Sequence, residues 1–302
     1  MRARLLALAR VALLVLVVAF VVWGFRDRGP EIWEAVTATP PLAIATAGAL
    51  VVAGLLVTSV AWLQLLAGFG FRLPGRDGRA VFFAGQLGKY IPGSLWSIGA
   101  HAELARAYRV PRRVTASTSL AFLGLNLATA GLVVAAARGL GAWDTRAPWW
   151  LALLVAVTCA ALLTPPVVNR ASSIVSGSSH PLRLRWRDVG LLVLLMAVTW
   201  TTYAGVLVAV VPHPDLGLLP VAAGAFALAY GVGVLVVVAP AGVGAREATL
   251  IALLGPVTGV ANATAIALLT RALHTGGDLL LAAVSWWLHR RARIAAPAPR
   301  GM

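Results

Sequence analysis

Two short stretches of this sequence set helix-breaking residues and charge inside apolar surroundings. The first reads Gly85-Gln86-Leu87-Gly88-Lys89-Tyr90-Ile91-Pro92-Gly93-Ser94-Leu95-Trp96. The second reads Ala239-Pro240-Ala241-Gly242-Val243-Gly244-Ala245-Arg246-Glu247-Ala248. Irregular backbone at membrane depth is tolerated only against protein or a wet cavity, because free N–H and C=O groups are costly in lipid. A pair of breaks in the two halves of a chain is the arrangement by which transporters build a midplane site. A helix that resumes after Pro92 or Pro240 would present free N–H groups and a positive dipole end, which suits a phosphate. Candidate contacts to such a head group are Lys89, Pro92, Gly93, Pro240, Gly242, Gly244, Arg246 and Glu247. The plainer alternative is that the Pro and Gly residues only kink packed helices.

Lys89 is the only lysine beside 24 arginines, in a chain with 25 basic residues. Where arginine is the default cation, a retained lysine points to a need for a compact ammonium, or to a side chain that snorkels to the interface beside Tyr90. Arg246 and Glu247 require partners or water, because either one buried alone is expensive. In the last apolar run Arg271, His274 and Asp278 recur at three- and four-residue spacing and so share one helix face. Such a stripe must face the bundle interior, either as a packing pair or against a ligand. Glu103 lies three residues before Arg106, close enough for a local ion pair. It is also the first-half residue that would correspond to Glu247. Glu103, Arg271, His274 and Asp278 are therefore the candidates for charge balance or proton coupling.

These residues sit in a membrane protein. Residues are 60% hydrophobic and 12% charged, with a mean hydropathy of +0.88. A soluble domain carries roughly 25% charged residues. Apolar runs of about 20 residues recur without the period-2 alternation of an outer-membrane barrel. The fold class is all-α, a polytopic transmembrane bundle with about eight helical segments, re-entrant or broken helices and a candidate inverted repeat. Expected spans are Leu5–Phe25, Leu42–Ala67, Ala116–Ala137, Pro148–Val168, Val189–Val211 and Leu219–Val238, followed by the pair Ala248–Leu254 and Val260–Leu288. The N-terminal run is too long for a cleaved signal peptide and is read as a retained helix. Residues 1–290 form one transmembrane domain, and 291–302 are read as a disordered cytoplasmic tail.

Arginine placement orients the chain. With the N-terminus in the cytoplasm, 18 basic residues fall inside and Arg26, Arg28, Arg138 and Arg146 fall outside. That bias holds only if Ala80–Ala100 enters and leaves on the same face, as a re-entrant hairpin. The expected location is the inner membrane, multi-pass, with both termini cytoplasmic. The net charge of +15 is thereby accounted for without nucleic acid.

Several chemistries drop out. Cys159 is the only cysteine and lies in an apolar run, so it reads as packing. His180, His213 and His289 have no partner at metal spacing, and there is no His-Glu-x-x-His or Gly-x-Ser-x-Gly. Thr275-Gly276-Gly277-Asp278 lacks the second aspartate of an intramembrane protease. No metal, cofactor or catalytic residue is expected.

At its two breaks the chain resembles the lysylphosphatidylglycerol synthase transmembrane-region family, which includes the flippase half of the multiple peptide resistance factor. The likeness rests on the Gly-x-Pro-Gly region at Gly85–Gly93. It rests more specifically on Pro-x-Gly-x-Gly-x-Arg-Glu, here Pro240-Ala241-Gly242-Val243-Gly244-Ala245-Arg246-Glu247. The resemblance implies translocation or handling of a lipid, with Arg246 and Glu247 as the residues carried over. Many members follow the first Pro-Gly with Gly-Glu and Arg, where this chain has Ser94-Leu95-Trp96-Ser97. No polar stretch here could house the family's soluble aminoacyl-transferase domain, so lipid aminoacylation is not expected. The function read from the sequence is a flippase-like transporter for an anionic phospholipid or lipid-linked precursor. Two alternatives stand beside it: an accessory subunit of a lipid- or glycan-modifying enzyme, and a membrane-embedded transferase. The partners expected are anionic membrane lipids and, for the accessory reading, that enzyme.

Overall fold

Prolines and glycines punctuate the chain into helices. Pro40, Pro74, Pro111 and Pro148 occupy N-cap positions, where a missing N–H costs nothing. A computed structural model describes residues 29–91, 96–143, 147–177, 179–236 and 240–295. The span expected at Leu5–Phe25, and the candidates Pro92 and Gly93, lie outside the described residues. Within them are eleven α-helices rather than about eight segments: α1 (Gly29–Thr37), α2 (Pro41–Gly68), α3 (Gly75–Gln86), α4 (Trp96–Leu104), α5 (Arg112–Gly139), α6 (Trp149–Leu162), α7 (Pro165–Ser176), α8 (Trp186–Ala209), α9 (Leu219–Leu235), α10 (Ala245–Thr258) and α11 (Val260–Ala295). The count rises because α1 is added and because the segments expected at 80–100 and 148–168 each divide into two short helices.

Pro41–Gly68, Arg112–Gly139, Trp186–Ala209 and Leu216–Leu235 are long and apolar enough to cross a membrane. The span expected at Pro148–Val168 is instead two helices, α6 and α7, bent by 62°. Pro165 and Pro166 cause the bend, since neither can donate to the preceding turn. α7 then runs into the polar stretch that begins at Asn169. α11 has 36 residues and continues through Ala295, so the first residues of the expected tail are helical. Ala292 and Ala295 favour that continuation.

The described residues of 80–100 form a hairpin of two short helices. α3 has 12 residues and α4 has 9, both too short to span. They are antiparallel, because Gly85 lies against His101 while Gly88 lies against the backbone of Trp96 and Ser97. A buried polar chain holds this hairpin to its neighbours. Trp62 Nε1 donates to Ser119 Oγ at 3.3 Å, Ser119 Oγ donates to His101 Nδ1 at 3.1 Å, and His101 Nε2 donates to the Phe82 carbonyl at 2.9 Å. Trp62, Phe82 and Phe122 close around it. At the base of the hairpin, His289 Nδ1 of α11 lies 2.8 Å from Asp77 Oδ1 and 3.2 Å from the Tyr108 hydroxyl.

α9 and α10 form a second hairpin, joined by a turn at Pro240–Gly242. It enters from the opposite face. The start of α9 and the end of α10 meet the C-terminal end of α8 at Leu207, Val208 and Leu254. The first hairpin begins beside the other end of α8, where Arg183 N–H donates to the Gly68 carbonyl at 3.1 Å. The tips of the two hairpins touch, with Leu87–Tyr90 against Pro240–Gly242. This geometry gives the inverted pairing of broken segments that the sequence suggests.

Small residues let the helices approach. A Cβ at Gly54 of α2 would strike the Tyr203 ring of α8, and one at Gly131 of α5 would strike Cys159 Sγ of α6. Cys159 is thus a packing residue.

Candidate functional site

α11 crosses both hairpin tips and carries the polar groups that hold them. Arg271 lies 11 residues after Val260, and Asp278 lies 11 residues before His289. At about 1.5 Å per residue, each is roughly 16 Å along the helix from its own end of the bundle. Arg271 meets the second tip. Its Nη1 donates to the Ala241 carbonyl at 3.0 Å and to Glu247 Oε1 at 3.1 Å. Asp278 meets the first tip, where its Oδ2 lies 2.6 Å from Lys89 Nζ and accepts from the Tyr90 hydroxyl at 2.7 Å. The Asp278 side chain is 2% exposed and the Lys89 side chain 34%, so the pair runs from the interior toward the accessible surface of the tip.

The second tip owes its shape to glycine. Gly242 has φ +70 and Ala241 φ +49, both in the left-handed region. A Cβ on Gly242 would also meet the Gly233 Cα at 2.7 Å, so α9 and the returning chain touch backbone to backbone. Gly244, at φ +85, then starts α10. Its N–H donates to Glu247 Oε2 at 2.6 Å, a cap that uses one carboxylate oxygen while the other holds Arg271. The first bond along α10 itself is from Ala248 N–H to the Gly244 carbonyl, at 2.9 Å. The N–H groups of Ala245, Arg246 and Glu247 precede it, in the first turn at the positive end of the α10 dipole.

Arg246 differs from the other cations here. Its guanidinium lies over the Phe226 ring at 4.5 Å, and Arg271, Glu247, Tyr203 and Tyr230 are within electrostatic range. Among the described residues it has no carboxylate or hydrogen-bond partner. Lys89 pairs with Asp278 and Arg271 pairs with Glu247, which leaves the cluster with one cation in excess.

One turn before Asp278, the Nδ1–H of His274 donates to the Thr270 carbonyl at 2.8 Å, so its Nε2 is an acceptor. His274 Nε2, Asp278 Oδ1 and Thr270 Oγ1 are all buried with no hydrogen-bond partner among the described residues. Tyr203 and Phe226 wall this stripe, their ring centroids 4.8 and 5.2 Å from His274.

Of the residues singled out from sequence, Lys89, Gly242, Gly244, Arg246, Glu247, Arg271, His274 and Asp278 come together. Pro240 opens the second tip. Glu103 does not join them. It lies at the far end of α4, seven residues or about 10 Å of helix beyond Trp96. There it is exposed, bonded to Arg106 Nη1 at 2.8 Å and to Arg112. Hydrogen bonds from Arg112 and Arg106 hold its carboxyl below the usual range. Its role as the counterpart of Glu247 fails on depth, because Glu247 is at a tip and Glu103 is at a base. The residues that sequence reasoning missed are Tyr90 as a ligand of Asp278, and Tyr203, Phe226 and Tyr230. A signal was available in part, since the chain has four tyrosines and three of them converge here.

Comparison with the curated proteins gives no match. Residues 7–282 match the family described as lysylphosphatidylglycerol synthase TM region, a stretch that contains both hairpins and the Arg271–Asp278 stripe. Among the described residues four helices are long and apolar enough to span, and a fifth if the bent pair counts as one, and with the family match the chain is a multi-pass membrane protein of lipid metabolism or transport. It belongs to the lysylphosphatidylglycerol synthase TM region family.

Proposed function

We propose that the protein is a flippase-like transporter that passes the head group of an anionic phospholipid, or of a lipid-linked precursor, through the meeting point of the two hairpin tips. The observation that carries this reading is Arg246. It is the one cation of the cluster without an ion pair, set in the first turn of α10 at the positive end of the helix dipole. A phosphate there would complete the charge balance and accept from both the guanidinium and the helix end. Lys89 and Arg271 are already paired and act as holders of the tips. His274 Nε2, Asp278 Oδ1 and Thr270 Oγ1 would accept a proton or water as the head group passes, which makes this stripe the coupling element. The reading involves no covalent chemistry and places the protein in the inner membrane, with the arginine-rich base of the first hairpin toward the cytoplasm.

The test is flipping of fluorescent anionic and zwitterionic lipids in proteoliposomes, comparing the wild type with Arg246→Ala and Arg246→Lys. The expected result is flipping selective for anionic head groups. It should be lost in Arg246→Ala and partly kept in Arg246→Lys, with both variants retaining the wild-type melting temperature. Wild-type protein that flips no phospholipid class and no polyprenyl-linked lipid would overturn the proposal.

A further inference from the structure

The bend between α6 and α7 leaves a second space, away from the hairpin tips. A cavity of about 230 Å³ opens between α2, α5, α7 and α8, with apolar walls that include Leu65, Leu120, Leu125, Leu163, Val168 and Leu192. An apolar cavity of about 150 Å³ holds a benzene molecule, so this one has room for a chain of roughly eight or nine carbons. Gly124 forms part of its wall, and a Cβ added there would meet nothing within 4 Å.

The rim of the cavity is basic. Val167, Ala171, Leu184 and Val189 line the space, and the exposed residues Arg170, Arg183, Arg185 and Arg187 alternate with them along the chain. Asn169 fixes the two rim segments to each other. Its Nδ2 donates to the Leu184 carbonyl at 3.0 Å, and its Oδ1 accepts from Leu184 N–H at 2.9 Å. The one carboxylate of the rim, Asp188, accepts from Arg185 N–H at 2.8 Å and lies 3.7 Å from Arg187, so three positive charges remain in excess. Trp186, 69% exposed, stands among these arginines. Tryptophan and arginine together mark the depth of lipid head groups.

We propose that this crevice is a resident lipid site, holding one acyl chain of an anionic phospholipid whose phosphate sits on Arg183 and Arg185. The site is separate from Arg246 and does not depend on the transport reading. Bilayer lipid is as apolar as the crevice, so burying the chain gives no net hydrophobic gain. Residence and selectivity come from the arginines at the lipid surface, and each contributes on the order of a fivefold preference.

The experiment is native mass spectrometry of the protein released from nanodiscs of equal phosphatidylglycerol and phosphatidylcholine. Gly124→Leu fills the cavity, and Ala121→Leu serves as a second filling variant should the first fail to fold. The double variant Arg183→Gln/Arg185→Gln removes the head-group contacts. The wild type is expected to retain phosphatidylglycerol over phosphatidylcholine. The filling variant should lose one retained lipid, and the arginine variant should lose the preference by roughly tenfold or more. Arg246→Ala should leave this lipid in place, so failure of the transport reading and failure of this one are distinguishable. Unchanged retention in a folded filling variant would assign the lipid to the general annulus and overturn the site. An unchanged preference in the arginine variant would overturn its selectivity for anionic lipid.

Discussion

Asp278 and Lys89 offer the sharpest test of how the first tip is held. Their 2.6 Å separation corresponds to about 6 kcal/mol of gross attraction at an effective dielectric constant near 20. Most of that is offset by dehydration of a carboxylate that is only 2% exposed. Lys89 keeps a third of its side chain accessible, which lowers its own dehydration cost but also screens the pair. The net coupling should then be about 1–2 kcal/mol, above the average of about 0.6 measured for interhelical hydrogen bonds in membranes. A cycle of Lys89→Met, Asp278→Asn and the double variant, followed by equilibrium unfolding in mixed micelles, isolates this quantity. The single variants should be unequal. Lys89→Met strands a buried carboxylate with only Tyr90 as donor and should cost about 2–4 kcal/mol, whereas Asp278→Asn frees an ammonium that can reach water and should cost about 1–2 kcal/mol. Hydrogen exchange at residues 87–91 should rise in both. A coupling below about 0.3 kcal/mol, with unchanged exchange at the tip, would refute the claim that α11 holds the hairpin through this pair.

Two other outcomes follow from the geometry. Gly242→Ala adds a Cβ at φ +70 against the Gly233 backbone and should cost about 2 kcal/mol or more, whereas Gly233→Ala makes only ordinary contacts at 3.5 Å and should melt like the wild type. Glu103→Gln should leave flipping unchanged and lower the melting temperature at neutral pH only slightly, since the pair with Arg112 and Arg106 is exposed. The depressed folded-state pKa of Glu103 means that what the pair contributes is present above the ordinary glutamate range. It is lost only as pH falls through the lower folded value. A melting-temperature profile in which wild type and variant differ at acid pH and coincide above about pH 5 would contradict this.

Length and apolar periodicity carry the spans, so the all-α bundle was legible from sequence. The first hairpin was legible from a different signal, the need to keep Arg72, Arg76, Arg79, Arg106, Arg109, Arg112 and Arg113 at one end of the bundle. Pro165 and Pro166 were equally visible, but hydropathy summed across them and hid the bend that opens the lipid crevice. Lys89, Arg246, Glu247, Arg271 and Asp278 could be read because lipid makes a buried charge conspicuous whatever its partner, and Gly242 and Gly244 because they interrupt a helix. Which charge meets which could not be read. The pairs Lys89–Asp278 and Arg271–Glu247 join residues 189 and 24 positions apart, and their match depends on how deep each hairpin reaches. Glu103 shows the reverse error. Its type and spacing suit a site, but a short helix carries it from the tip to an exposed base.

The two tips and α11 require one another. Breaking a helix inside a membrane leaves carbonyls and N–H groups that neither lipid nor the broken helix can satisfy. Here Arg271 takes the Ala241 carbonyl, Glu247 takes the Gly244 N–H, and Asp278 takes the Tyr90 hydroxyl and the Lys89 ammonium. Conversely, Arg271 and Asp278 could not remain on a membrane helix without those tips to face. Arg246 stands outside this mutual satisfaction. Every other charge of the cluster is committed to holding the hairpins, so Arg246 is the group that can be engaged or released without unfastening them. The function of the site should therefore respond to Arg246 more than its stability does, while Arg271 and Asp278 should show the opposite order.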